Sequence, residues 1–298
     1  MSSLSILLID EFSISEKIIL KSFKILEKAK LSKIFFIGDE KKFKKIKRIT
    51  LNKNKFEFIN IKHNKNFELS YINEVTKKGI DLFKEKKIKY LINMPINKKK
   101  FLKNKYFGFT EFFSKKFDNK KNHNMLMYSE NFSVVPLTTH IELKDVDKQI
   151  SFKNIKDSIN NIATFNIKCL KNRNFQIVVL GINPHASIDL GIKNKDHSIL
   201  KKAVKFFRKK NLNIVGPISA DTAFKNLKNK IFLGMYHDQV LIPFKLLNGF
   251  KGINITIGKE LIRLSPDHGT GTDLIKKNIK SISNISFIEC IKFCEKYG

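Results

Sequence analysis

The feature that most constrains the fold is an alternation between short apolar runs and longer segments with helical spacing. Runs of four to eight apolar residues, typical of buried strands, lie at 5–9, 34–38, 90–94, 133–137, 175–182, 231–236 and 253–258. Between them, apolar residues three and four apart predict helices at 15–29, 72–87, 154–172 and 197–210. This order predicts βαβ units, and therefore an α/β fold with a mostly parallel sheet sandwiched by helices.

The length of 298 residues and a hydrophobic content of 42% allow a large core and suggest two lobes or one large α/β unit. No window approaches the roughly 20 apolar residues of a membrane span, and the N-terminal segment lacks the basic lead and small-residue cleavage site of a signal peptide. We therefore expect a cytoplasmic protein without a membrane partner. The three cysteines do not form a zinc-binding pattern, so we interpret them as reduced structural thiols.

The formal net charge of +31 raises the question of nucleic-acid binding, because Lys and Arg neutralise phosphates. The lysines are spread along the whole chain and form no dense arm or known nucleic-acid-binding motif. We therefore expect solvated basic surfaces, a general attraction for small anions and no specific nucleic-acid partner.

Three histidines occupy the same kind of position. His140, His185 and His237 each stand just past the carboxyl end of an expected strand. In an open α/β sheet these ends share one edge, where ligands bind. A single histidine there is typical of a hydrogen-bonded edge residue. Three imidazoles at one edge would also suit a divalent metal with open positions for a substrate.

Polar residues suited to an anionic substrate follow His237 along the chain. Lys245, Asn254 and Arg263 could together hold a phosphate and a carboxylate. In a chain with 58 Lys and Arg residues, ordinary surface charge is the alternative interpretation of the two cations.

Eight further motifs are "NMPINKK", "GFTEFF", "LTTHIELKDV", "INPHAS", "GPISADTAF", "MYHDQ", "FKGINITIG" and "SPDHGTGTDL". Together these motifs resemble the 4-hydroxythreonine-4-phosphate dehydrogenase family of pyridoxal phosphate synthesis. They run in order from about residue 90 to 275, and a match of many motifs is more specific than any one of them.

This resemblance implies a fold of the isocitrate/isopropylmalate dehydrogenase type, with the site in the cleft between lobes at 1–115 plus 268–298 and at 116–267. It also implies a homodimer with the active site at the subunit interface. His140, His185 and His237 match the family's metal ligands, the ion being zinc, magnesium or cobalt. Four residues match substrate-binding positions, namely Thr110, Lys245, Asn254 and Arg263. The loop of Asp267, His268, Gly269 and Thr270 resembles the adenosine-side loop for NAD or NADP.

The reaction that the resemblance implies is the oxidation of 4-phosphohydroxy-L-threonine to a β-keto acid, which decarboxylates to 3-amino-2-oxopropyl phosphate. A metal on the substrate hydroxyl would ease proton loss and stabilise the enolate that forms on decarboxylation. Asp221 and Asp238 are candidates to orient a ligand or relay the proton.

The chain departs from the family at several site positions. "IDEFSISEK" replaces a glycine-rich opening, and Phe109 replaces a histidine. Four further substitutions are Ser187 and Ile188 for Gly–Glu, Val240 for glycine and Lys276 for glycine. Two alternatives therefore stay open: a β-decarboxylating dehydrogenase of the same fold with another phosphorylated hydroxy acid, or a basic anion- or nucleic-acid-binding protein on a decayed dehydrogenase scaffold.

Overall fold

The computed structural model describes residues 2–64, 66–103, 105–106, 108–117, 122–190, 194–258, 260–276 and 282–298. The chain divides into two compact units. The first comprises Met1–Asn119, Ile253–Ile255 and Lys259–Gly298, and the second comprises Lys120–Gly252 and Thr256–Gly258.

The strands of the described residues follow the expected alternation with helices. They are β1 (Leu4–Leu7), β2 (Ile34–Gly38), β3 (Phe56–Asn60), β4 (Tyr90–Asn93), β5 (Asn124–Tyr128), β6 (Phe132–Pro136), β7 (Gln176–Leu180), β8 (Ile214–Ile218), β9 (Lys230–Gly234), β10 (Ile253–Ile257) and β11 (Ile262–Pro266).

The α-helices of these residues lie between and after the strands. They are α1 (Ser15–Lys21), α2 (Phe23–Lys28), α3 (Lys44–Thr50), α4 (Glu68–Lys84), α5 (Lys98–Leu102), α6 (Phe109–Phe117), α7 (Leu143–Gln149), α8 (Phe152–Thr164), α9 (Lys201–Arg208), α10 (Ala220–Ala223), α11 (His237–Asn248), α12 (Thr272–Lys276) and α13 (Ile285–Lys296).

The sheet of the first unit is parallel, in the order β3-β2-β1-β4-β11. Its central strands are buried on both faces, as expected when helices cover a parallel sheet from both sides. Leu91 of β4 belongs to a core cluster with Tyr71 and Val75 of α4. The neighbouring Tyr90 packs edge-on against Phe293 of α13, with the ring centroids 6.1 Å apart. Successive residues of one strand thus contact different helices.

The sheet of the second unit has the order β5-β6-β9-β7-β8. β6, β9, β7 and β8 are parallel, and β5 pairs antiparallel with β6. Val134 of β6 and Phe232 of β9 form a core cluster with Val240 and Phe244 of α11. The predicted fold class, a mostly parallel sheet flanked by helices, is confirmed in each unit.

Three of the expected helices are interrupted. The segment expected at 15–29 is two helices, which break at Ser22, where the buried hydroxyl accepts a hydrogen bond from Asn284 Nδ2 at 2.8 Å. The segment expected at 154–172 ends as an α-helix at Thr164 and continues as a π-helical turn, Phe165–Cys169. The segment expected at 197–210 starts as a π-helical turn, Asp196–Leu200, and becomes the α-helix α9 at Lys201. In the part of the chain that the structure describes, no helix combines the length and apolar character needed to cross a bilayer.

Candidate functional site

The three histidines of the second unit follow three neighbouring strands. β9 lies between β6 and β7 and is parallel to both. His140 follows β6, His185 follows β7 and His237 opens α11 directly after β9. All three therefore lie at the carboxyl-end edge of one parallel sheet, where open α/β sheets bind ligands.

Two of these imidazoles face each other. The ring centroids of His140 and His237 are 5.9 Å apart, and the rings are inclined by 39°. Nδ1 of His237 lies 2.7 Å from Oδ1 of Asp238, which is itself exposed. A carboxylate on Nδ1 fixes the ring and leaves Nε2 as the nitrogen available to a ligand. Asp238 is therefore an orienting partner of His237.

His185 stands in a separate acidic setting. Its Nδ1 lies 2.5 Å from Oδ2 of Asp189, and this hydrogen bond raises the pKa of the exposed His185 imidazole above its usual value. Asp221 adds a smaller attraction of the same sign. Asp221, at the start of α10, is held by the hydroxyl of Ser219, which lowers the pKa of the aspartate.

The side chains at this edge fit a divalent cation in their chemistry. Imidazole nitrogen is a common ligand of zinc and of other divalent transition metals, and both His237 and His185 have a carboxylate on Nδ1. The structure pairs His140 with His237 but does not bring His185 into the same cluster. Among the described residues, no three His, Cys, Asp or Glu side chains are gathered around a single metal position.

In the first unit, Arg263 of β11 is almost completely buried and held by several groups. Its Nε donates to Oδ1 of Asn93 at 2.5 Å, and its Nη1 donates to Oγ1 of Thr110 at 3.0 Å. The ring of Phe109 covers the guanidinium, with 5.2 Å between Cζ and the ring centroid. Burial lowers the pKa of Arg263 to about 10, and attraction to Glu111 opposes this. Arg263 therefore keeps its charge at neutral pH.

Thr110 and Arg263, both expected to bind substrate, thus hydrogen-bond to each other. The expected Asn254 lies on β10. Its Oδ1 is shielded from solvent and accepts no hydrogen bond from any residue that the structure describes. Lys245, on α11 in the second unit, is exposed.

The expected cofactor loop begins where β11 ends at Pro266. The backbone N of Asp267 donates to Oγ of Ser286 at 2.7 Å, and O of Thr270 accepts from the backbone N of Ile14 at 2.9 Å. The loop is therefore fixed on both sides. Gly269 is exposed between these contacts, and a Cβ added there would meet nothing within 4 Å. Burial lowers the pKa of His268.

Two residues of this first-unit region were not among the sequence-based candidates. Asn93 contacts Arg263, and its position in "NMPINKK" is the signal that could have found it. Asp10 lies in the loop after β1, is buried, and accepts a hydrogen bond from the backbone N of Asn97 at 2.8 Å. This contact links the divergent N-terminal loop to the same motif, and burial raises the pKa of Asp10.

The chain matches known proteins over nearly its full length. The family model described as pyridoxal phosphate biosynthetic protein PdxA matches residues 8–294. A 4-hydroxythreonine-4-phosphate dehydrogenase from Sulfurihydrogenibium sp. (strain YO3AOP1) is 34% identical, over 98% of this chain and 97% of the relative.

Solved structures share the fold. A 4-hydroxythreonine-4-phosphate dehydrogenase from Klebsiella pneumoniae aligns with a TM-score of 0.79 at 22% identity, over 99% of this chain and 98% of that one. A β-decarboxylating dehydrogenase from Thermococcus kodakarensis aligns with a TM-score of 0.56 at 11% identity, over 98% and 83% of the two chains. The extent of the family match and the near-complete coverage of the relative lead to one assignment: the chain belongs to the PdxA family of pyridoxal phosphate biosynthetic proteins.

Proposed function

We propose that this protein is a 4-hydroxythreonine-4-phosphate dehydrogenase, which oxidises 4-phosphohydroxy-L-threonine to a β-keto acid that decarboxylates to 3-amino-2-oxopropyl phosphate. The family's enzyme class implies a nicotinamide cofactor. The observation that carries the proposal is the position of three histidines at the ends of three adjacent parallel strands. We retain a cytoplasmic location as a prediction.

We propose that Arg263 and Lys245 bind the anionic groups of the substrate. Arg263 is pre-organised by Asn93 and Thr110, so little conformational freedom is lost when it binds. Thr110 thus contributes through the orientation of the guanidinium. The shielded Oδ1 of Asn254 is an acceptor suited to a hydroxyl or ammonium donor of the substrate.

We propose that His140, His185 and His237 hold a divalent ion, namely zinc, magnesium or cobalt. Such an ion supplies a Lewis acid for the substrate hydroxyl and the later ketone. Asp238 orients His237 through Nδ1. Asp221, held by Ser219, serves as an orienting acceptor beside His185.

We propose that Asp267, His268, Gly269 and Thr270 bind the adenosine side of NAD or NADP, which supplies the hydride acceptor. The loop is fixed by Ser286 and Ile14, while Gly269 leaves its backbone open to a ligand. A backbone that is anchored on both sides and accessible in the middle is suited to close approach by a cofactor.

We propose that the protein is a homodimer. Ile242, Leu246 and Phe250 follow one another at intervals of four residues and are 56%, 80% and 59% exposed, and Leu247 beside them is 56% exposed. Contiguous exposed apolar residues of this size mark interaction surfaces. Lys245 lies on the same helix, which supports an active site at the interface.

The decisive experiment is a dehydrogenase assay with purified protein, 4-phosphohydroxy-L-threonine, a divalent metal and NAD or NADP, following formation of the reduced cofactor. Lys245→Ala should lower kcat/KM by roughly 10- to 100-fold, because a charged partner of the substrate is lost. Lys251→Ala, which removes an exposed lysine nearby, should leave it unchanged. Absence of turnover with every cofactor and metal, or equal effects of the two variants, would contradict the proposal.

One observation favours a second candidate function. Phe109 covers the guanidinium of Arg263 where the family has a histidine, so a donor to the substrate is replaced by an apolar ring. A β-decarboxylating dehydrogenase that acts on a different phosphorylated hydroxy acid would also use the remaining residues.

A further inference from the structure

The segment that carries His185 has an unusual backbone. His185, Ala186 and Ser187 are consecutive, none is glycine, and their φ angles are +53°, +50° and +61°. Left-handed backbone is sterically unfavourable for residues with a Cβ, and three in succession persist only where surrounding groups hold them. The segment therefore needs a fixed support.

Asp196 supplies that support. Its side chain is completely buried and accepts hydrogen bonds on both oxygens. Oδ1 accepts from the backbone N of Ile182 at 2.8 Å. Oδ2 accepts from Oγ of Ser187 at 2.6 Å, from Nδ2 of Asn183 at 2.9 Å and from the backbone N of Asn183 at 3.3 Å. One carboxylate thus binds residues before and after His185.

Gly181 closes the other side of this segment. A Cβ added at Gly181 would lie 2.7 Å from Cα of Ala186, so the turn packs directly against the end of β7. The backbone N of Gly181 is itself fixed by a 2.8 Å hydrogen bond to O of Ile218. The left-handed turn is confined between the strand and the carboxylate.

Ser187 has a specific part in this arrangement. It stands where the family has glycine, and glycine adopts a positive φ at little cost. The serine has the same φ sign but donates its buried hydroxyl to Asp196. The hydrogen bond from Ser187 to the carboxylate therefore offsets the conformational cost of a positive φ at a residue other than glycine.

We propose that Asp196 is a positioning residue for His185. It binds Ile182, Asn183 and Ser187, which flank and include the left-handed turn at 185–187, and so sets the direction in which the imidazole meets a divalent cation. The inference rests on the proposed metal-binding role of His185. If Asp196 were only a stabilising group of the core, its loss would lower the free energy of unfolding but leave the metal affinity of the folded protein intact.

The test measures Co²⁺ binding to the metal-free full-length protein by calorimetry and by the visible absorption of the bound ion. His185→Ala is the reference, and its affinity should fall at least about tenfold. Asp196→Ala should weaken binding by about 10- to 100-fold and change the visible spectrum. The double variant should bind no more weakly than His185→Ala alone, because the two residues act through the same ligand.

Ser187→Ala is the milder variant should Asp196→Ala not fold, and a several-fold loss of affinity is expected. Its matched control is Ser158→Ala, because Ser158 is also a buried serine with a side-chain hydrogen bond, 2.8 Å from Nδ2 of Asn124. Ser158→Ala should lower stability by a comparable amount and bind Co²⁺ as the wild type does.

Failure of the proposed metal site and failure of the positioning role of Asp196 would give different results. Unchanged affinity in His185→Ala would contradict the metal site itself and the inference with it. Reduced affinity in His185→Ala together with wild-type affinity in the folded Asp196 and Ser187 variants would overturn only the positioning role. Additive losses in the double variant would overturn it as well, because Asp196 would then act independently of His185.

Discussion

At the scale of single residues, the guanidinium of Arg263 combines two hydrogen bonds with an aromatic contact. Asn93 and Thr110 fix its plane, and Phe109 covers one face. A cation over an aromatic face gains about 0.5–2 kcal/mol, depending on its desolvation. Phe109 therefore contributes to holding Arg263 even though it cannot donate a hydrogen bond to a substrate.

Phe109→His should raise kcat/KM for the phosphorylated hydroxythreonine. The imidazole keeps a flat ring beside Arg263 and adds an N–H donor, and a hydrogen bond to a charged group contributes about 1.5–3 kcal/mol. The expected gain is roughly 10- to 150-fold if the contact is made in the transition state. Phe109→Leu is the control, because it removes the ring without adding a donor and should give no gain. Equal values for both folded variants would instead favour another hydroxy acid as substrate.

His63 lies in the loop after β3, and its surroundings predict that the stability of the protein depends on pH. Its ring stacks on Tyr71 with 4.4 Å between centroids, and its Nδ1 contacts Lys42, which pairs with Glu11 at 2.6 Å. Burial and the charge of Lys42 lower the pKa of His63 below 6.5, Lys100 acts in the same direction, and Glu11 and Glu68 oppose them. The folded state therefore takes up a proton at a lower pH than the unfolded state.

Below pH 6.5 the unfolded chain protonates His63 first, so the free energy of unfolding should fall as the pH drops towards the lower, folded-state pKa. Urea denaturation of the wild type and of His63→Gln at about pH 7.5 and about pH 5.5 measures this contribution. The variant should lose less stability between the two pH values. Equal losses in both proteins would show that His63 does not contribute.

At the scale of elements, the connection from β9 to α11 depends on a close approach of Gly234 to Val240. A Cβ added at Gly234 would lie 2.4 Å from Cγ1 of Val240 but 3.5 Å from its Cβ. Gly234→Ala should therefore destabilise the protein by about 1–3 kcal/mol through overpacking. Val240→Ala in the same chain removes Cγ1 and should recover part of this loss.

A double-mutant cycle of unfolding free energies measures the contact. We expect a favourable coupling of about 1 kcal/mol or more between Gly234→Ala and Val240→Ala. Gly269→Ala is the stability control, because an added Cβ there meets nothing and should change stability by less than about 0.5 kcal/mol. Purely additive single effects would rule out the steric contact as the cause.

The strands that the sequence predicts share one property: their apolar runs are buried on both faces, as in "IFFIG" of β2. Of the four unexpected strands among the described residues, β5 ("NMLMY") is buried along its whole length and was missed although it carries such a run. The other three lack one. β3 is partly exposed, β8 contains the Gly–Pro pair of "IVGPI", and β11 contains a buried arginine in "IRLSP". Each is specified by pairing with neighbouring strands, which a local hydrophobic pattern does not report.

For the candidate site, too, the local sequence pattern predicts some of the residues and misses those whose role depends on distant contacts. Strand-end position led to His140, His185 and His237, because parallel strands bring their carboxyl ends to one edge. Asp196 could not be found in this way, since its partners come from a different loop and its role depends on a left-handed backbone. The motif "NMPINKK" contains Asn93, but its contact with Arg263 joins residues 170 positions apart, so the local spacing did not indicate its partner.

At the scale of the whole molecule, four exposed apolar residues on and just after α11 predict self-association, namely Ile242, Leu246, Leu247 and Phe250. Leu246→Asp should weaken the dimer at least about tenfold, because a charge replaces an apolar residue at the centre of the proposed interface. Leu143→Asp is the matched control, since Leu143 is also strongly exposed, at 70%, but lies on α7. Sedimentation velocity over a range of concentrations measures the change. A monomeric wild type, or equal behaviour of the two variants, would contradict the proposed homodimer.

The net charge of +31 gives a prediction that separates the enzyme from a nucleic-acid-binding protein. Several lysines lie over aromatic rings, as Lys47 does over Phe58 and Lys210 over Phe206, so their stems cover apolar surface while their charge stays at the exterior. Binding to duplex DNA should therefore depend on counterion release alone, with log K falling linearly with log salt and little binding left at about 0.2 M salt. Fluorescence anisotropy with two unrelated duplexes of equal length measures both the slope and the selectivity. Equal affinities with a steep slope are expected from a diffuse basic surface, whereas a salt-resistant preference for one duplex requires base contacts that a diffuse surface cannot make.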